Sequence, residues 1–307
     1  METGLIYKEL GAGTACKHLI EQIKDKEKEM KSRIAVQGWH GSFHDIAARN
    51  YFKADVEIVP CDSFLKLFEK IKNDEADFIV MAIENSVAGS ILPNYALIRD
   101  SDVSVTGEIF LRIQQNLLVL PGQKIEDLKE VHSHPMAIAQ SRTFFDQYPD
   151  IRLIESADTA SSAKMIQDGQ LKGVGAIAGK LAATTYNLEI IAESIETNHT
   201  NYTRFLVLNK KDKSNYMTIE SNKATICFTL PHKPGSLSHI LSVLAFYDLD
   251  LTKIQSLPIL GKEWQYLFYV DIKMTDYKRY QQALSAVQPL ADSFEILGEY
   301  RIGEKII

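Results

Sequence analysis

HTNYTRFLVL, 199–208, sets a group of hydrogen-bonding side chains directly against an apolar run. Phe205 to Leu208 read as a buried strand, and its entrance carries Asn201, Tyr202, Thr203 and Arg204, a set of amide, hydroxyl and guanidinium groups. MAIENSVAGSI, 81–91, has the same character: an apolar strand leaves through Glu84, Asn85 and Ser86 and reaches Gly89 and Ser90. GWHGSFHDIAARNYF, 38–52, joins a glycine turn to a helix start at Ser42, without the GKS or GKT of a nucleotide-binding loop. EVHSHPMAIAQ, 130–140, ends a strand in His132, Ser133 and His134 before Pro135 opens a helix. ESADTASSAKMIQ, 155–167, makes a similar turn with Asp158, Thr159, Ser161 and Ser162.

Helix capping alone explains any one of these turns. Together they describe strand ends, rich in hydroxyls, amides and free helix N–H groups, that surround one cleft and suit an anionic small molecule. No Cys–His or Ser–His–Asp arrangement emerges from the order, so the chemistry expected is hydrogen-bond donation rather than attack by a strong covalent nucleophile. His132 and His134 lack a third ligand at useful spacing, and no metal site is expected.

The elements that must position these residues are legible from position 33 onward. Short apolar runs (RIAVQG, VEIVPC, ADFIVMAIEN) alternate with helical periods (SFHDIAARNYF, SFLKLFEKIKN), and a second set follows from EVHSHPM to LEIIAESI. The alternation predicts an α/β fold in two lobes with a ligand cleft between them. Before it, residues 15–32 read as a charged extension helix with Leu19, Ile20 and Ile23 on one side. After it, the polar stretch 209–223 marks a boundary, and ATICFTL, GSLSHILSVLAFY, LDLTKIQSLPI, EWQYLFYVDI, DYKRYQQALSAVQPL and FEILGEY follow in the βαββαβ order of a ferredoxin-like unit.

With 307 residues, 45% hydrophobic and 24% charged, the chain exceeds one small core and has the composition of a globular protein. A net charge of −6 argues against nucleic-acid or anionic-membrane partners, so an anionic ligand must be held by local groups. Cys16, Cys61 and Cys227 are widely spaced and form no CxxC pair, which suits a reducing, cytoplasmic setting. Neither a signal peptide nor a membrane span is expected.

GWHGSF, AIENSVAGSI, GEIFLRIQQNLL, SHPMAIAQ, DTASSA, GAIAGKLAATTYNLEII and NYTRFLVL, in this order over about residues 33–210, resemble the prephenate dehydratases, with NYTRF the most specific element. KPGSLSHIL in the last unit resembles the ACT domain that follows that catalytic region. The resemblance implies a two-lobed, type II periplasmic-binding-protein-like region over 33–213, followed by an ACT domain over 223–307. Lobe 1 is expected at about 33–108 and 192–213, lobe 2 at about 109–191, and an extension helix within 1–32, too short for a fused chorismate mutase.

The implied reaction converts prephenate to phenylpyruvate in L-phenylalanine biosynthesis and requires no cofactor or metal. Thr203 is the implied catalytic residue, donating to the departing ring hydroxyl, and Glu84, Asn85, Ser86, Ser133, Thr159, Asn201 and Arg204 are the expected substrate-binding set. Glu84 is expected to orient its neighbours. Arg204 has two readings, gripping a carboxylate or bracing its strand, and strand alternation sends it to the face opposite Thr203. L-Phenylalanine is the implied effector, with Pro234, Gly235, Ser236, Leu237, Gln255 and Ser256 as its site and a homodimer or homotetramer formed through ACT domains. Two departures stand out: QSLP at 255–258, where the family often has ESRP, and Gln114 and Gln115, where relatives often carry histidines. The alternatives are an arogenate dehydratase and a non-catalytic small-molecule sensor with an ACT domain, the latter having no need of NYTRF.

Overall fold

The computed structural model describes residues 31–211, 221–259 and 261–307. The expected extension helix falls outside these residues, apart from its last two positions, as does most of the polar linker. The first apolar runs form β1 (Arg33–Gln37), β2 (Glu57–Cys61) and β3 (Phe78–Asn85), joined by helices α1 (Phe43–Phe52) and α2 (Phe64–Lys72). A short β4 (Gly89–Ser90), helix α3 (Leu92–Arg99) and β5 (Val103–Arg112) complete the first pass. The chain then builds the second lobe from β6 (Asn116–Val119), β7 (Glu130–Ser133), α4 (Pro135–Gln140), α5 (Arg142–Phe145) and β8 (Arg152–Glu155). This lobe continues with α6 (Thr159–Gly169), β9 (Val174–Ala178), α7 (Lys180–Thr185) and β10 (Glu189–Ala192), before β11 (Tyr202–Lys210) returns to the first.

The two sheets share one plan. In the first the order is β2-β1-β3-β11-β5, and in the second β8-β7-β9-β6-β10. In each, the strand arriving from the other lobe, β11 or β6, is inserted antiparallel to both neighbours. This is the two-lobed type II arrangement. The crossings differ from the expected boundaries: β5 stays paired with β11 as far as Arg112, opposite Tyr202, so its ladder carries the first lobe four residues past 108. On the return, Ile195 still packs in the second lobe's core, so the first lobe resumes near Asn201 rather than at 192.

The last unit contains β12 (Lys223–Thr229), α8 (Ser236–Phe246), β13 (Asp250–Pro258), β14 (Tyr266–Lys273), α9 (Tyr277–Val287) and β15 (Ser293–Tyr300). Its antiparallel order β13-β14-β12-β15 is the ferredoxin-like one. Alternation gives this sheet two buried faces. Ala224, Ile226, Phe228, Val270 and Ile272 meet α8 and α9, whereas Cys227, Leu267, Tyr269, Leu297 and Tyr300 share a core with Leu67, Ile79, Met81 and Ile98 of the first lobe. The contact is close: a Cβ at Gly298 would lie 2.0 Å from the Val105 carbonyl oxygen, and one at Gly303 2.0 Å from that of Glu108. After Gly303, β16 (Lys305–Ile306) joins the first sheet beside β5. Among the described residues, no helix is long and apolar enough to cross a membrane.

Candidate active site

Thr203 lies at the start of β11, in register with Asn85 at the carboxyl end of β3 and with Leu111 on β5. Immediately after β3 the chain turns back into β4, and Asn85 closes that turn by accepting the backbone N–H groups of Val87 at 3.0 Å and Ala88 at 2.8 Å through Oδ1. These two bonds fix which end of the amide is which. Asn85 Nδ2 therefore donates, to Asn201 Oδ1 at 2.7 Å and to Thr203 Oγ1 at 2.9 Å. Asn201 in turn donates to Gln140 Oε1 at 2.9 Å, so a chain of amides links the second lobe to Thr203. Since Thr203 Oγ1 accepts from Asn85, its own proton is left to donate elsewhere.

Thr203 lines a cavity of about 620 Å³ between the lobes, although only 9% of it is exposed. The lobes also meet beside it, where Tyr186 Oη donates to the His40 carbonyl at 2.8 Å and Gly41 lets Ala182 approach. Helix-capping residues from both lobes line the cavity: Ser42 caps α1, His134 caps α4 and Asp158 caps α6, accepting from the N–H groups of Asp45, Met136 and Ser161. Apolar walls come from Phe43, Phe64, Ile113, Met136 and Phe205. Among the described lining residues there is no Lys or Arg.

Both histidines at the cavity are neutral near pH 7. Burial pushes His44 down to about 3, and its Nε2 accepts from the Ala82 N–H at 3.2 Å, which leaves the ring proton on Nδ1. Burial also lowers His134, despite the opposing charges of Asp158 and Glu155, and its Nδ1 accepts from Met136, leaving Nε2–H as a donor.

The structure brings Thr203, Asn85, Asn201 and Thr159 to this cleft region, and it takes four other expected residues away from direct contact with the cleft. Ser133 is fully buried and donates to the Ile177 carbonyl at 2.6 Å, tying β7 to β9. Ser86 Oγ accepts from Tyr202 N–H at 2.9 Å and donates to the Thr200 carbonyl at 3.2 Å, clamping two chain segments. Glu84 pairs with Lys253 of the C-terminal sheet at 2.7 Å. Arg204 braces its strand: Nε donates to Glu108 at 2.7 Å, Nη1 to Asp271, and Nη2 to Tyr300 Oη at 3.0 Å. Alternation along β11 points it away from Thr203 and into the interface with the C-terminal sheet.

Of the expected effector residues, Pro234 to Leu237 form the entrance to α8, with Gly235 at φ +84°, and Gln255 and Ser256 lie on the edge strand β13. The glutamine pair divides. Gln114 donates to Ser194 Oγ at 3.4 Å, whereas Gln115 lines the cleft, and its buried Oε1 has no hydrogen-bond partner among the described residues. His134, Gln140 and Asp158 are cleft residues that the sequence reading left out of the site, although all three stand in the motifs that carried it.

A family model described as prephenate dehydratase matches residues 34–213. The prephenate dehydratase of Lactococcus lactis subsp. cremoris is 32% identical, covering 88% of this chain and 98% of that protein. Arogenate dehydratase 2 of Petunia hybrida is 37% identical over 87% of this chain and 71% of its own. Among solved structures, GqqA, described as a novel type of quorum quenching acylase, superposes with a TM-score of 0.80 at 28% identity, covering 88% and 98% of the two chains. The prephenate dehydratase of Arthrobacter aurescens in complex with L-Phe gives 0.76 at 27% identity, covering 88% and 89%. With that agreement over the region that builds the cleft, the chain belongs to the prephenate dehydratase family.

Proposed function

We propose that the protein converts prephenate to phenylpyruvate, releasing water and carbon dioxide, with Thr203 as the acid at the departing ring hydroxyl. The observation that carries this reading is the Asn85 amide donating to Thr203 Oγ1 at 2.9 Å, which leaves the hydroxyl proton free for the substrate. Hydroxide is a poor leaving group, and a positioned donor need only share its proton as the C–O bond breaks. The electron pair of the bond to the ring carboxylate moves into the ring, carbon dioxide leaves, and an aromatic ring forms. The hydroxide departs as water, and solvent restores the threonine proton.

The absence of Lys and Arg from the described cleft lining supports the second bond cleavage. A carboxylate held against Phe43, Phe64 and Phe205 without a cation is stabilised less than the uncharged product it becomes. The remaining carboxylate suits the helix N-termini at Ser42 and Thr159. Arogenate, which carries an ammonium group, is the second reading: Asp158 and Gln115 Oε1, the latter without a partner among the described residues, are acceptors lining the same cleft.

Feedback by L-phenylalanine at the C-terminal domain is part of the same proposal, supported by its ferredoxin-like order and by the L-Phe complex of the Arthrobacter relative. Self-association through this domain, as a homodimer or homotetramer, is supported by the edge strand β13 with exposed Ile254. Two buried free thiols, Cys61 and Cys227, suit the cytoplasm.

Following phenylpyruvate absorbance with purified protein tests the reaction. Turnover of prephenate is expected, with Thr203→Ala lowering kcat by about 10² or more while the protein stays folded. Near-normal turnover by that variant removes Thr203 from the role. A higher kcat/KM for arogenate than for prephenate assigns the substrate to the second reading. Millimolar L-phenylalanine is expected to slow turnover, and an unchanged rate leaves the domain an assembly device.

A further inference from the structure

Another ionic contact between the C-terminal sheet and the first lobe lies on the residue preceding Asn85. Lys253, on β13, has a side chain only 10% exposed; its Nζ lies 2.7 Å from Glu84 Oε1 and donates to Ser90 Oγ at 2.8 Å. The same ammonium is 5.9 Å from the centroid of the Tyr95 ring. Glu84 and Ser90 face each other across the β3–β4 hairpin, next to the Asn85–Gly89 pair. One cation from another domain thus grips both strands of the hairpin whose turn is closed by Asn85 and whose Asn85 orders Thr203.

We propose that Lys253 is a positioning residue for the dehydration. By holding Glu84 and Ser90 together it keeps the Asn85 amide in the orientation that leaves the Thr203 proton free, so β13 forms part of the catalytic apparatus. A displacement of about 1 Å at a reacting group costs rate on the order of 10²-fold, so loosening this hairpin is felt in turnover more than in substrate affinity. The inference rests on the dehydratase reading for its kinetic consequence; its structural consequence needs no substrate.

Lys253→Met, which keeps an unbranched apolar stem and removes the charge, is expected to lower kcat roughly tenfold or more with KM changing less, and Lys253→Arg to recover part of the loss. Glu84→Gln is expected to produce a similar loss from the other partner, and the double variant to fall no further than either alone. In a Thr203→Ala background, Lys253→Met is expected to change kcat by less than about twofold, because the hydroxyl it positions is already gone. A Lys253→Met enzyme with wild-type kcat overturns the proposal, as does the same fold loss in both backgrounds. Without any substrate, amide exchange at Val87 and Ala88 is expected to rise on the order of tenfold in Lys253→Met. Unchanged exchange there overturns the proposal whatever the wild type turns over, whereas failure of the wild type on both substrates counts against the dehydratase reading.

Discussion

The orientation of Asn85 decides whether Thr203 is a donor or an acceptor. Its Oδ1 is committed to Val87 and Ala88, so Nδ2 faces Thr203 Oγ1. Replacing Asn85 by Asp keeps the shape but puts an acceptor there, and the threonine proton then turns to the carboxylate instead of the substrate. Asn85→Asp is expected to lower kcat by about 10², further than Asn85→Ala, which leaves the hydroxyl free to rotate. Steady-state assays of the two variants side by side check this, and an Asp variant as active as the Ala variant removes the argument. Thr203, Asn85, Asn201 and Thr159 were legible because hydroxyls and amides at strand ends have few other uses in such density. Ser133 and Ser86 share those residue types and positions but turn to backbone partners, since residue type and strand end do not say which neighbour a hydroxyl meets. That depends on sheet order: Ser133 finds the Ile177 carbonyl only because β9 lies beside β7.

Helix α1 is held to β3 by a bond that depends on protonation. His44 Nε2 accepts from the Ala82 N–H while its ring packs edge-on against Phe205 at 5.0 Å between centroids. Burial lowers its pKa from 6.5 to about 3. Between these values the unfolded chain takes up a proton that the folded one refuses, so stability from this group is complete above 6.5 and falls with pH down to about 3. The slope approaches about 1.4 kcal/mol per pH unit. Urea unfolding from pH 7 to pH 4 is expected to show this loss in the wild type, and His44→Gln, which retains an acceptor, to flatten the profile even if its absolute stability is lower. The elements themselves were read well where period and punctuation agreed, as in the run from β1 to β3. The crossing between the lobes was harder to place, because Gly107 stands inside β5 whereas the stretch 113–115, where the chain passes to the second lobe, carries no glycine or proline to mark the change.

The C-terminal sheet is fastened to the first lobe through a buried set of two cations and two carboxylates. Lys223 donates to both oxygens of Glu108 at 3.0 and 2.9 Å, Arg204 bridges Glu108 and Asp271, and Thr225 donates to Asp271 at 2.7 Å. Sequence alone leaves this unreadable. Alternation along β12 and β14 predicts that Lys223, Thr225 and Asp271 share a face, but polar residues on one face of a sheet ordinarily meet water, and only the docked lobe shows otherwise. Burial opposes ionisation of Asp271, yet Arg204 and Lys223 outweigh it and hold its pKa below the ordinary carboxylate value. Its contribution is therefore present above the unfolded carboxylate's pKa and is lost as pH falls through the folded one. Asp271→Ala leaves two buried cations facing one carboxylate, an imbalance that costs about 3–5 kcal/mol, whereas Asp271→Asn keeps an acceptor for Arg204 and costs less. Equilibrium unfolding of both variants measures the difference. Because Arg204 follows Thr203 on β11, the Ala variant is expected to lose kcat even at temperatures where it remains folded. Full turnover in a folded Asp271→Ala enzyme would show that the interface holds the domains together without holding the catalytic strand in place.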